Sequence, residues 1–170
     1  MGGHDKGLLA YHGKPLIEHV LERIPPGIVS TLISANRNLE RYAAYGQVIS
    51  DEALTYEGPL AGILAAMSKT NTPYLLTLPC DTPDLPPDLL PRLYQALVSE
   101  EAEIAVACSG ERRHYVIALM KTTLRDDLQE FLDRGERKVV LWEQRHKVVF
   151  VELAHDDAPF RNINLPNELG

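Results

Sequence analysis

A short apolar run between two prolines constrains the fold of this chain more than any other segment. Residues Tyr74 to Leu78 lie between Pro73 and Pro79, a length and composition typical of a strand buried on both faces of a sheet. Asp81 follows closely, so we expect it at the carboxyl end of the sheet, where open α/β folds bind ligands. One carboxylate there can hold Mg²⁺ together with phosphate oxygens of a substrate. The alternative is that Asp81 only caps a turn before its Thr-Pro neighbours.

Strand-like and helix-like segments alternate along most of the sequence. Apolar residues at helical spacing predict helices over residues 15–24, 59–67, 87–97 and 124–132. Short apolar runs predict strands over residues 28–34, 47–50, 74–78, 104–107, 116–119 and 147–153, while residues 139–142 fit either structure. This alternation predicts one α/β domain over residues 1–170, with a mainly parallel sheet covered by helices on both faces.

The charge and the cysteine content argue against several classes of partner and site. A formal net charge of −7 and a pI near 5.3 disfavour nucleic acid and anionic membranes as partners. Cys80 and Cys108 have no paired spacing, which disfavours a disulfide framework and a zinc site. No apolar run approaches the length of a membrane span and no signal peptide is recognisable, so we expect a cytoplasmic protein.

The first nine residues contain a second candidate for ligand binding. Gly2 and Gly3 precede Lys6. Glycines let backbone amides approach an anion closely, and a lysine supplies a compact positive charge for phosphate. The alternative is a solvated amino terminus, which is the usual state of a glycine-rich end. Phosphate-binding loops of doubly wound folds follow the first, central strand, and no strand precedes this segment in the sequence.

Six motifs stand out along the chain: residues 1–9 (Met-Gly-Gly-His-Asp-Lys-Gly-Leu-Leu), 13–16 (Gly-Lys-Pro-Leu), 35–37 (Ala-Asn-Arg), 51 (Asp), 58–62 (Gly-Pro-Leu-Ala-Gly) and 79–83 (Pro-Cys-Asp-Thr-Pro). Taken together, in their order and spacing, they resemble the motifs of the molybdenum cofactor guanylyltransferases, which attach GMP to molybdopterin. Shorter likenesses at residues 110–112, 135–137 and 162–164 extend it over nearly the whole chain.

The resemblance implies a Rossmann-like, three-layer nucleotidyltransferase fold of the nucleotide-diphospho-sugar transferase type, which binds GTP and Mg²⁺. It places the family's conserved lysine, near the nucleotide phosphates, on Lys6 and its metal-binding aspartate on Asp81. It also implies a nucleotide-site aspartate, two nucleotide-motif glycines and two molybdopterin-side asparagines. These fall on Asp51, on Gly58 and Gly62, and on Asn162 and Asn164.

Each of these assignments has a structural alternative. The alternative for Asp51 is a turn aspartate after the strand that ends near residue 50. The glycines of residues 58–62 also permit close helix packing, and both roles are compatible. The two asparagines alternate along an extended segment and so face one side, where amides suit a pterin ring; their alternative is a strand-to-helix turn. Asp84 is the alternative metal ligand to Asp81.

The chain departs from the family pattern at three places. The family's first strand and its Leu-Ala-Gly-Gly loop, which ends in an arginine, are absent before Met1. We expect both in the full polypeptide, with the glycine-rich loop mobile without nucleotide, and an intact mass above 19.0 kDa would show them. Ser34 stands where a related enzyme has a nucleotide-contacting asparagine, and His114-Tyr115 stands where His-Pro is common.

The implied reaction is displacement at the α-phosphate of GTP by the terminal phosphate of molybdopterin, with release of pyrophosphate. Both reactants are anions, so the main part of the activation barrier is charge repulsion and charge that develops on the non-bridging oxygens. Positive groups and a metal ion lower that part of the barrier. Implied partners are GTP, molybdopterin and, downstream, molybdoenzymes or their chaperones. A related activity is the first alternative, namely a cytidylyltransferase for the same cofactor or an enzyme for a sugar phosphate or phospholactate. The second is an adaptor that binds nucleotide or cofactor without chemistry.

Overall fold

A computed structural model describes residues 5–50 and 58–163 of the chain. The sequence predictions for Gly2, Gly3, Asp51 and Asn164 fall outside these ranges. The described helices are α1 (Leu16–Glu22), α2 (Leu39–Tyr42), α3 (Pro59–Lys69), α4 (Leu89–Ser99), α5 (Arg125–Asp133) and α6 (Val139–Glu143). The described strands are β1 (Ala10–Tyr11), β2 (Lys14–Pro15), β3 (Leu32–Ser34), β4 (Gln47–Ile49), β5 (Tyr74–Thr77), β6 (Ile104–Ser109), β7 (Arg112–Lys121) and β8 (Val148–Ala154). Short 3₁₀ helices cover Lys6–Leu8, Thr122–Leu124 and Ala158–Phe160.

Four strands form the larger sheet, in the order β5-β7-β6-β8. Strands β5, β6 and β8 run in one direction, and β7 runs antiparallel to both of its neighbours. The reversal of β7 has a local cause, because only Gly110 and Glu111 separate it from β6 and Gly110 adopts a φ of +52°. A two-residue connection of this kind closes an antiparallel hairpin. The α/β prediction is confirmed, and the larger sheet is mixed, with one reversed strand.

Helices cover both faces of this sheet. On one face, α3, α5 and α6 pack against β6 and β7, and Trp142 of α6 is completely buried there. On the other face, α1 and α4 pack against β6, β7 and β8 through residues such as Val20, Leu93 and Leu97. The helix predicted over residues 87–97 is therefore α4, and residues 139–142 are helical. The architecture has the three layers that were expected.

Strands β3 and β4 form a separate parallel pair beside β5. Leu32 of β3 and Leu75 of β5 both pack against one cluster, which consists of Ile49 of β4 and Ala65 and Ala66 of α3. On the opposite side, Ile33 of β3 packs against α1, and Leu76 of β5 belongs to the cluster that contains Val20 of α1. The two sheets therefore share the same two helical layers, although no strand among the described residues joins them.

Strand β5 departs from the burial that its sequence predicts. All four of its residues are of intermediate burial, whereas a strand covered on both faces was expected. The reason is an apolar groove between β5 and β3, which exposes the edge of β5 opposite its pairing with β7. The strand predicted over residues 28–34 is also shorter than expected, because only Leu32–Ser34 pair with β4. Within residues 5–50 and 58–163, no helix is long and apolar enough to cross a membrane.

Candidate functional site

Asp81 lies just beyond the carboxyl end of β5, as the sequence predicts. Only 7 % of Asp81 is exposed, so the carboxylate is set into the protein and does not lie in open solvent. The hydroxyl of Thr82 donates to the backbone carbonyl of Pro79 at 3.2 Å, which closes the turn. The backbone amide of Ile163 donates to the carbonyl of Asp81 at 2.9 Å. The position of Asp81 is thus fixed both by its own turn and by the segment near residue 163.

Lys6 meets Asp81 across this edge. Its Nζ lies 3.3 Å from Oδ2 of Asp81, although the two residues are 75 positions apart in the chain. The Lys6 side chain is 46 % exposed, and the Asp81 side chain is 10 % exposed. The structure therefore brings together the two groups that the sequence predicts for phosphate and for metal, and it leaves the lysine accessible to a ligand.

A hydrogen-bonded cluster that sequence reasoning missed holds the amino-terminal segment in place. Tyr42 donates its hydroxyl hydrogen to Asp5, and Asn38 donates to the same carboxylate at 3.2 Å. Desolvation, followed by the bond to Asp5, raises the pKa of Tyr42, so it stays a neutral donor. A Cβ on Gly7 would lie 2.6 Å from the Tyr42 hydroxyl and 3.2 Å from Sγ of Cys80. Gly7 was the sequence signal for this close approach of the backbone to Tyr42 and Cys80.

Cys80 lies beside the candidate site but is unsuited to act as a nucleophile. Burial, followed by the nearby charge of Asp81, raises its pKa to about 11, so the thiol is protonated at neutral pH. A nucleophilic cysteine needs the opposite shift, toward the thiolate. The displacement expected at the α-phosphate of GTP joins the two substrates directly, so it needs no covalent nucleophile from the protein. Cys80 and Cys108 are both free thiols.

The two glycines of residues 58–62 have different local roles. Gly58 precedes the first turn of α3 and has a φ of +91°, a conformation that suits glycine. Gly62 lies one turn into α3, and a Cβ there would approach Oγ of Ser34 to 2.8 Å. The close-packing interpretation therefore holds for Gly62 against the end of β3. Among the described contacts, none joins either glycine to Lys6 or Asp81.

A polar cluster that sequence reasoning also missed surrounds the hairpin between β6 and β7. The Ser109 hydroxyl lies 2.8 Å from Nε2 of His114 and donates to Asp157. Arg112 donates to the same carboxylate at 2.7 Å, and these bonds lower the pKa of Asp157. His114 stacks on Phe160 with 4.2 Å between ring centroids, and burial lowers its pKa, so it is neutral at pH 7.

This cluster lies at one end of the segment that carries Asn162. Phe160, which is buried beneath His114, precedes Asn162 by two residues, and Ile163, which bonds to Asp81, follows it directly. Asn162 is therefore held between an anchor at the β6–β7 hairpin and an anchor at Asp81. Asp84, the alternative ligand, is exposed in the loop before Leu85.

The donor set at this edge suits a hard cation held partly by substrate. Among residues 5–50 and 58–163, no three His, Cys, Asp or Glu side chains are grouped as a complete metal site. Mg²⁺ is usually held by one or two carboxylates, with phosphate oxygens and waters as its other ligands. The buried carboxylate of Asp81 fits the one protein ligand that such a site needs.

Comparison with known proteins finds relatives that match nearly the whole chain. The family model of the MobA-like NTP transferase domain matches residues 1–148. A molybdenum cofactor guanylyltransferase of Shewanella halifaxensis is 47 % identical over 169 residues, which cover 99 % of this chain and 84 % of the relative. A protein of the same family from Shewanella baltica is also 47 % identical, with 86 % of its length covered.

Solved structures support the same architecture. Molybdopterin-guanine dinucleotide biosynthesis protein A from Archaeoglobus fulgidus superposes with a TM-score of 0.77 at 23 % identity, covering 98 % of this chain and 88 % of that one. A Mycobacterium tuberculosis protein crystallised with manganese superposes with a TM-score of 0.65 at 16 % identity, covering 89 % and 83 %. At these identities the two structures support the fold alone. The family model and the curated relatives establish the family: this chain belongs to the molybdenum cofactor guanylyltransferases of the MobA-like NTP transferase group.

Proposed function

We propose that the protein transfers GMP from GTP to molybdopterin and releases pyrophosphate. The observation that carries this proposal is the approach of Lys6 to Asp81 within 3.3 Å at the carboxyl edge of the sheet. A metal-bound triphosphate needs a positive charge for its phosphates and a carboxylate for its metal ion. Lys6 and the buried Asp81 offer these two groups at one edge of the sheet. The family relationship supplies the nucleotide and the acceptor.

In the proposed reaction an oxygen of the terminal phosphate of molybdopterin attacks the α-phosphorus of GTP. The new P–O bond forms as the bond between the α-phosphorus and the α–β bridging oxygen breaks, and pyrophosphate leaves with that electron pair. Lys6 is exposed enough to turn from Asp81 to a phosphate oxygen without a change in the backbone. Its charge offsets the repulsion between the two anions and the charge that develops on the non-bridging oxygens.

We assign the other candidate residues to the metal and the nucleotide or to the pterin. Asp81 would hold Mg²⁺, which when bound supplies charge neutralisation and orients the phosphates. Asp51, Gly58 and Gly62 are proposed for the guanine nucleotide, with the backbone amides at the start of α3 directed at phosphate. Asn162 and Asn164 are proposed for the pterin. Molybdoenzymes or their chaperones are the proposed recipients of the product.

Variants of the two central residues test this proposal. We expect Lys6→Ala and Asp81→Asn to lower the rate of pyrophosphate release from GTP and molybdopterin by about a thousandfold, or about 4 kcal/mol in transition-state stabilisation. Circular dichroism and thermal unfolding should show an intact fold in both. Asp84→Asn is the matched control, because Asp84 is exposed in the same loop. Loss of activity in Asp84→Asn with wild-type activity in Asp81→Asn would contradict the assignment.

The same assay separates the alternatives. A panel of GTP, CTP, ATP and UTP should give pyrophosphate release with GTP alone, whereas a preference for CTP would indicate the cytidylyl branch. Release with a sugar phosphate in place of molybdopterin would indicate a different acceptor. Binding of GTP and Mg²⁺ without release in the presence of molybdopterin would indicate the adaptor.

A further inference from the structure

Tyr42 contacts the segment of Lys6 on both sides of the lysine. Its hydroxyl donates to the carboxylate of Asp5, which precedes Lys6 in the chain. The same oxygen lies against Gly7, which follows Lys6, because a Cβ on Gly7 would be only 2.6 Å from it. The side chain of Lys6 reaches Asp81, with 3.3 Å between Nζ and Oδ2. One hydroxyl group therefore fixes the backbone from which the lysine side chain starts.

The close packing at Gly7 also includes the turn that carries Asp81. A Cβ on Gly7 would lie 3.2 Å from Sγ and 3.3 Å from Cβ of Cys80, the residue directly before Asp81. Gly7 therefore packs against both Tyr42 and Cys80, with no room for a side chain. Because packed groups of this kind cannot shift separately, these contacts set the distance between the backbones that carry Lys6 and Asp81.

The carboxylate of Asp5 is held by both ends of one helical turn. Tyr42 is the last residue of α2 and donates to Oδ1, while Asn38, which directly precedes α2, donates to Oδ2 at 3.2 Å. Residues four positions apart lie on the same face of a helix, so the two donors point to one carboxylate. Asp5 cannot turn away from α2 without losing both hydrogen bonds.

The protein core holds the ring of Tyr42 in place. Only 4 % of Tyr42 is exposed, and its ring belongs to one cluster with Ile17 of α1 and Ile33 of β3. Leu8, two residues after Lys6, packs against the same cluster. The segment of Lys6 is thus attached to the core by a hydrogen bond before the lysine and by apolar packing after it.

We propose that Tyr42 is a positioning residue for Lys6, which holds the backbone of residues 5–7 so that the ammonium group reaches the edge of the sheet at Asp81. It acts through Lys6 and takes no part in the reaction itself. A charged group that is displaced by about 1 Å loses much of its effect on a transition state. The effect of Tyr42 on the reaction rate rests on the proposed function, whereas its effect on the Lys6–Asp81 pair can be measured without substrate.

Two tyrosines of the same region provide matched variants. Tyr42→Phe removes the hydrogen bond to Asp5 and keeps the aromatic ring in the core. Tyr45→Phe, three residues further along the chain, removes a comparable bond of 2.8 Å from a tyrosine to a carboxylate, that of Glu18 in α1. It is the control, because the Tyr45 hydroxyl bonds to α1 and not to residues 5–7. Circular dichroism and thermal unfolding should show that both variants are folded.

Nuclear magnetic resonance of the lysine ammonium groups tests the position of Lys6 without substrate. The Lys6 signal is assigned by its loss in Lys6→Met, and Asp81→Asn gives the hydrogen exchange rate of the ammonium group without that partner. Because hydrogen bonding slows exchange, we expect exchange at Lys6 to be about threefold faster in Tyr42→Phe than in the wild type. Tyr45→Phe should retain the wild-type rate.

The rate of GMP transfer tests the consequence for the reaction. We expect Tyr42→Phe to lower kcat about tenfold and to leave the KM for GTP within about twofold of the wild type, because Lys6 acts on charge that develops in the transition state. In the Lys6→Met background the same substitution should have no further effect, since the group that it positions is gone. Tyr45→Phe should leave kcat unchanged in both backgrounds.

Asp5→Ala removes the same hydrogen bond from its other side and should reproduce both effects, so the proposal can be tested even if Tyr42→Phe does not fold. Unchanged exchange at Lys6 or an unchanged kcat in the folded variant would overturn the proposal. An equal loss of kcat in the wild-type and Lys6→Met backgrounds would also overturn it, because Tyr42 would then act independently of Lys6. Faster exchange at Lys6 in a protein without transferase activity would support the positioning and contradict the proposed function.

Discussion

The two sheets differ in how completely they are packed, although the same helical layers cover both. Strands β6 and β7 of the larger sheet are buried between α3, α5 and α6 on one side and α1 and α4 on the other. The β3–β4 pair has three residues in each strand and borders the groove. Stability is therefore expected to concentrate in the larger sheet. The candidate site spans both regions, because Tyr42, beside the smaller sheet, anchors the segment that presents Lys6 to Asp81.

Matched isoleucine truncations test this difference most directly. Ile104 of β6 is fully buried, and Ile33 of β3 is buried beside the groove. We expect Ile104→Ala to lower the free energy of unfolding by about 4 kcal/mol and Ile33→Ala by about 2 kcal/mol, since a cavity that opens to solvent costs less. Urea denaturation measures both. Equal losses would show that the two sheets unfold as one equally packed unit.

A buried acid in the packed region gives the next largest effect. Glu143 of α6 is 1 % exposed, and both its carboxylate oxygens are without a hydrogen-bond partner in the part of the chain that is described. Desolvation raises its pKa to about 8. The folded protein therefore binds this proton more tightly than the unfolded chain does, so stability is retained below pH 4.5 and is lost as the pH rises toward 8.

Replacing this acid should remove that loss. We expect Glu143→Met to raise the free energy of unfolding at pH 8 by about 3 kcal/mol and to flatten its dependence on pH between 4.5 and 8. Denaturant unfolding across this pH range is the measurement. Glu100→Met at the exposed end of α4 is the control and should change neither quantity. An unchanged pH dependence in Glu143→Met would mean that Glu143 is ionised and has a partner.

The hairpin cluster gives the smallest predicted effect, and it rests on the proposed function. Ser109→Ala removes the hydroxyl between His114 and Asp157, so the segment before Asn162 loses one anchor. We expect the KM for molybdopterin to rise about tenfold, or about 1.4 kcal/mol, with kcat and the KM for GTP nearly unchanged. Ser109→Thr should restore the wild-type KM because it keeps the hydroxyl. A fall in kcat alone would contradict a positioning role on the acceptor side.

Local patterns in the sequence predicted most elements of the fold. Helical spacing found α1, α3, α4 and α5, and short apolar runs found the strands from β3 to β8, with β3 shorter than expected. The reversed direction of β7 was missed, although Gly110 between two apolar runs was an available signal for a hairpin. The Asp5–Tyr42 and Ser109–Asp157 contacts carry no local signature, because their partners are distant in the chain.

The sequence by itself determined which residues could carry the chemistry: an acid directly after an apolar run, and a lysine in a glycine-rich segment. Such patterns depend only on near neighbours along the chain, so they can be interpreted without a fold. Only the tertiary structure decided that Lys6 and Asp81 meet across 75 positions and that an apolar groove lies between β3 and β5. Both features join residues that are distant in the sequence, so they arise from tertiary packing and no local pattern predicts them.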